Sequence, residues 1–196
     1  MRKVLVATLA LCLVAVSLGV AVAGSNPKRL GTDPAGDSAP AIDITYLDFD
    51  SGAMLTENGP VKALDIRIGV DGMLPTYGSI PEVPAFEWIF TTGKRMFIAE
   101  AVASHPEHLF FLFELKGDTY EQLIGATGKF DVEGGFIQIV VPLETIGAKR
   151  GTVVSGVKEP LEVIGNNGAD VDVHIHAGSE TIWVDEMTTA KSFVVR

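Results

Sequence analysis

The chain has 196 residues, with 25 Asp and Glu against 15 Lys and Arg, for a formal net charge of −10. That balance argues against nucleic acid or anionic lipid as a partner: both need clustered Lys and Arg, and Lys28-Arg29, Lys94-Arg95 and Lys149-Arg150 stand apart as isolated pairs. Cys12 is the one cysteine, so no disulfide framework is available, and the apolar residues, 47 % of the chain, must hold a single sandwich-sized domain.

Met1-Arg2-Lys3, an apolar run from Val4 to Val22, and Ala21-Val22-Ala23 before Gly24 form the basic start, apolar core and small-x-small end of a secretory signal peptide. Residues 1–23 are therefore expected as a signal peptide and the mature protein as secreted, with no membrane insertion after cleavage. The run approaches the ~20 residues that span a bilayer, so an uncleaved anchor is the competing reading. Leu11 stands before Cys12 where lipoprotein processing wants a small residue, which argues against a lipid anchor.

Residues 24–41 carry three Pro and no apolar period, and are expected as an exposed lead-in to a domain over 42–196. From Asp43 onward apolar residues recur at a period of two: Leu47 and Phe49; Leu64, Ile66, Ile68 and Val70; Phe86, Trp88 and Phe90; Leu109, Phe111, Phe113 and Leu115; Ile137, Ile139 and Val141; Val171, Val173 and Ile175. Each set predicts a strand with one face on a core. Residues 94–103 and 108–115 are apolar on both faces, as suits central strands whose second face is partly covered. Phe111 and Phe113 are expected to point inward, and Phe110, which shares its face with His108 and Glu114, outward. Gly- and Pro-rich breaks separate the strands, Pro142 to Gly147 reads as a short helical turn, and Lys191 to Arg196 reads as a last strand. The expected fold is all-β, a two-layer antiparallel β-sandwich of jelly-roll or immunoglobulin-like type with one short helical turn.

Asp33-Pro34-Ala35-Gly36-Asp37, followed by Asp43, crowds three carboxylates onto a loop bent by Pro and Gly. Calcium takes six to eight oxygen ligands, so Asp33, Asp37 and Asp43 could supply part of a shell that backbone carbonyls and water complete. The competing reading is an Asx-turn in which Asp33 and Asp37 bond nearby backbone N–H groups.

That Gly/Pro turn with two Asp, the strand entry Asp43-Ile44, Phe86-Glu87-Trp88-Ile89-Phe90, Val141-Pro142-Leu143, Ile146-Gly147-Ala148 and Gly151 together resemble DOMON-like sandwiches related to family-nine carbohydrate-binding modules, including the binding module of glucodextranase-type enzymes. The resemblance covers most of residues 31–195. It implies a β-sandwich that binds an extracellular glycan without catalysis. Trp88 alternates with Phe86 and Phe90 and reads as core. Trp183 is the candidate sugar platform, since Ile182 and Val184 can point inward while Trp183 faces out near Asp185, with Tyr46 and Tyr77 as candidate flanks.

In Asp170-Val171-Asp172-Val173-His174-Ile175-His176, period two puts both Asp and both His on one strand face. His174 and His176 could clamp a transition metal, with His105 and His108 adding imidazoles if their turn met this strand; a solvated polar sheet face is the other reading. The chain carries no Gly-x-Ser-x-Gly elbow, no His-Glu-x-x-His helix and no phosphate-cradling loop. The expectation is a secreted, non-catalytic binding module with calcium as cofactor. A structural or adhesive cell-surface component without a small ligand is the first alternative, and a metal-dependent enzyme using the His pairs the second.

Overall fold

The computed structural model describes residues 27–36, 43–71, 83–103, 107–117, 119–156, 170–177, 180–188 and 191–196, and at 83–84, 156, 170–177 and 180–188 it describes the backbone alone. The signal peptide expected over 1–23, Asp37 and Tyr77 all lie outside these residues. Among the described residues every element is a strand, and no helix is present: β1 (Lys28–Thr32), β2 (Ile44–Thr56), β3 (Gly59–Val70), β4 (Val83–Thr92), β5 (Arg95–Val102), β6 (Leu109–Lys116), β7 (Thr119–Leu123), β8 (Thr127–Asp131), β9 (Phe136–Pro142), β10 (Val153–Gly156), β11 (Asp170–Ala177), β12 (Glu180–Thr188) and β13 (Ser192–Val194).

They form two antiparallel sheets. One runs β1-β2-β3-β9-β8; the other runs β12-β11-β4-β5-β6-β7, with β10 pairing the last part of β4 and β13 pairing β10. The period-two residues line the space between the sheets: Leu47, Phe49, Leu64, Ile66, Ile68, Phe86, Phe90, Ile137 and Ile139 all lose their solvent contact there. Trp88 of the second sheet stacks on Phe90, with ring centroids 4.2 Å apart, and meets Phe49 of the first sheet, also at 4.2 Å. The two layers thus join through aromatic side chains, each of which buries more apolar area than an aliphatic one.

Three expectations need correction. Residues 24–41 are not merely an exposed lead-in, because Lys28–Thr32 forms the edge strand β1 and buries Leu30 in the core. An edge strand needs one buried side chain and one row of ladder bonds, which is too short a pattern for periodicity to register. The inward face of β6 is also the opposite of the one expected. Leu112 is fully buried and Phe110 packs on the main core, whereas Phe113 joins Ile89, Ile98 and Met96 in a second cluster on the far side of that sheet.

The polar residues that pointed Phe110 outward sit at the ends of the strand, where the core gives way to the rim. Glu114 accepts two hydrogen bonds from Arg95, at 2.6 and 2.9 Å, and the His108 ring stacks on Phe130 with centroids 4.0 Å apart. The segment from Pro142 to Gly147 closes as successive turns, with Thr145 N donating to Pro142 O and Gly147 N to Glu144 O, rather than as a helix.

Candidate functional site

The residues after β1 lie against the start of β2, which brings Asp33 and Asp43 to the same end of the sandwich. Asp33 N donates to Thr45 O at 2.9 Å, and Gly36 N donates to Asp43 Oδ2 at 2.6 Å. Gly36 has φ of 97°, a left-handed value that glycine adopts without the strain a Cβ would bring, and this aims its N–H at the carboxylate. Asp43 has no solvent exposure, and its backbone oxygen accepts a further bond from Asp71 N at 2.8 Å.

The second carboxylate oxygen, Asp43 Oδ1, is buried and has no hydrogen-bond partner among the described residues. A desolvated carboxylate oxygen without a donor is costly, and buried polar atoms are ordinarily satisfied. A hard cation satisfies it directly. No three His, Cys, Asp or Glu converge among the described residues, and Asp37, the third carboxylate expected at this loop, lies outside them. Asp33 and Asp43 are thus the two carboxylates expected at this loop that lie within the described residues, and both are oxygen donors of the kind a hard cation takes.

The other candidates are dispersed. Trp88, 1 % exposed between Phe49 and Phe90, is a core residue, as expected. The Tyr46 ring lies flat on Gly69, its partner across β2 and β3, where an added Cβ would come within 2.0 Å of ring carbon Cε1. The Arg29 guanidinium covers the ring from 3.8 Å and also pairs with Asp48. Burial, and after it the Asp48 charge, push the Tyr46 hydroxyl above its usual value.

Trp183 stands in β12, the strand at the edge of its sheet, opposite His174 of β11. A bulge between Val173 and His174 brings Asp185 opposite Val173. β12 lies against β1 and β2, so the strand bearing Trp183 and the strand bearing Tyr46 border the same side of the sandwich. His176 pairs with Thr181. β4 and β5 separate β11 from β6, a span of about 14 Å at ordinary strand spacing, and the His108 ring is committed to Phe130. His108 and the His174–His176 pair thus do not share a site. Burial lowers the His108 pKa, favouring the neutral ring.

Sequence reasoning missed one carboxylate pair. Glu87 of β4 is directly opposite Glu100 of β5, on the side of the sheet away from the main core, where the next row is Ile89 opposite Ile98. Desolvation pushes the Glu100 carboxyl above its usual range. Each residue alone reads as an ordinary polar strand position, and only the register joins them. Comparison of the chain with family models, with curated proteins and with solved structures gave no match.

Proposed function

We propose that this chain is an exported, non-catalytic binding module whose β1–β2 loop holds a calcium ion and whose ligand is an extracellular glycan. The observation that carries the calcium is Oδ1 of fully buried Asp43, which has no partner among the described residues, at the end of the sandwich that also holds Asp33. The ion belongs to stability: it ties the first strand of the sandwich to the second and third. The glycan rests on the resemblance to carbohydrate-binding sandwiches, with Trp183 and Asp185 on the edge strand and Tyr46 and Tyr77 as flanks.

The test is thermal unfolding in millimolar calcium and in excess chelator. An ion bound only by the folded loop raises stability by RT ln(1 + [L]/Kd), about 2.7 kcal/mol at a hundredfold excess over Kd. Wild-type protein should melt higher in calcium, and Asp43→Asn should melt at one temperature in both solutions. A wild-type Tm indifferent to chelator would reduce Asp33 to Asp43 to a hydrogen-bonded turn.

A further inference from the structure

Pairs of basic residues that stand far apart in the sequence come together at the end of the sandwich opposite the Asp43 loop. The β4–β5 hairpin carries Lys94 at its tip, and Thr92 Oγ1 anchors it to Ile146 O at 2.7 Å. The turns after β9 pack beneath it: Leu143 N donates to Lys62 O at 2.9 Å, and Arg95 Nη2 donates to Thr145 O at 3.3 Å. Lys149 and Arg150 form the next turn, which is bound to Val195, just after β13, by Gly151 N to Val195 O at 2.8 Å and Val195 N to Thr152 O at 3.0 Å. Arg196 follows, its N–H held by Ser51 Oγ at 3.0 Å.

Lys62, Lys94, Lys149, Arg150 and Arg196 are all exposed, and none forms an ion pair among the described residues. Arg95 and Lys116 at the same end are taken by Glu114 and Glu121. Glu144 is the one acidic residue between Pro142 and Gly156. On a chain of formal charge −10, these unpaired cations leave one end with an excess of positive charge, offset in part by Glu144 and by Glu57 on the β2–β3 hairpin.

We propose that this basic end binds a linear anionic polysaccharide, one bearing sulfate or carboxylate groups along its length; the glycan class rests on the reading of the chain as a binding module. Five solvated cations spread over two turns, strand β3 and the segment after β13 suit a repeating anion better than a single buried one, because each contact releases counterions and several must act together. Single-stranded nucleic acid would need exposed aromatic rings for base stacking, and these turns carry none. A membrane surface would need large apolar side chains at the turn tips. Of the exposed apolar residues here, Val153 and Val194 are instead paired within strands, Leu55 stands singly near Glu57 on the β2–β3 hairpin, and the other tips are Gly93-Lys94 and Lys149-Arg150-Gly151.

The probes are immobilised heparin for the sulfated class and polygalacturonate for the carboxylated class, with neutral dextran, vesicles of anionic phospholipid and duplex DNA alongside. The full chain should bind one or both anionic polysaccharides at low salt, lose affinity steeply as salt rises, and ignore dextran. Lys149→Glu or Arg150→Glu should weaken binding on the order of tenfold, while Lys129→Glu, on β8, changes it by about twofold or less. Binding should be the same in calcium and in chelator, so a failed calcium loop and a failed basic end give different results. Absence of salt-dependent binding to both polysaccharides, an equal loss with Lys129→Glu, or tighter binding to vesicles or DNA would each overturn the proposal.

Discussion

The two ends of the sandwich carry opposite charge at opposite depth. At one end Asp43 is wholly buried beneath its turn, and Asp71 and the β8–β9 hairpin are drawn against it by hydrogen bonds from Asp71 N to Asp43 O and from Val70 N to Gly135 O. At the other, Lys94, Lys149 and Arg150 ride on turn tips in full contact with water. Depth decides what each can hold. A desolvated carboxylate favours a bare hard cation held by direct coordination, and such a bond is little weakened by salt. Solvated lysines and arginines favour an extended polyanion and are strongly screened. On the two proposals, one β-sandwich would serve two kinds of ion chemistry about one core.

The largest effect expected is on the core that couples the ends. Leu112→Ala should cost about 2–5 kcal/mol and lower the melting of both ends together, whereas Phe111→Ala, on the half-covered outer face, should cost less. Denaturant titration monitored at both ends checks this. Equal losses at the two positions would reverse the facing of β6, and separate transitions would make the ends independent units.

A smaller effect sharpens the contrast through two carboxylates of opposite disposition. Arg95, by hydrogen bond and charge, holds Glu114 at the basic end below its usual range. Its contribution to stability is therefore present above the ordinary carboxyl range and is lost as pH falls through the depressed value. Desolvation raises Glu100, so the folded state binds more protons there and stability falls as pH rises from the ordinary range through the raised value. Glu114→Gln should lower Tm at neutral pH and Glu100→Gln should raise it, both differences fading in acid. The same sign for both would mean that burial, and not pairing, governs Glu114.

Much of this fold is legible in the sequence because strand side chains alternate: Leu64-x-Ile66-x-Ile68 and Phe86-x-Trp88-x-Phe90 leave only one way to bury an apolar face. β6 was misread because both its faces are apolar, and the polar residues that broke the tie, His108 and Glu114, are reconciled with the inner face by Phe130 and Arg95, partners far away in the chain. The loop of Asp33 and Asp43 was legible as a group of carboxylates. That Asp43 is buried with one oxygen unpartnered depends on three segments meeting, and local composition does not carry it. The basic end was missed for the same reason. Each Lys-Arg pair looked solitary until β4 paired with β10, and β10 with the last strand.

The most direct test of the account is equilibrium calcium binding to the folded chain, measured by isothermal titration calorimetry after chelator treatment, with Asp43→Asn beside the wild type. Wild type should take up one ion per chain and the variant none measurable, while the variant still shows the β-sheet signature of the folded wild type. Absence of uptake by folded wild-type protein, or uptake unchanged by Asp43→Asn, would contradict it.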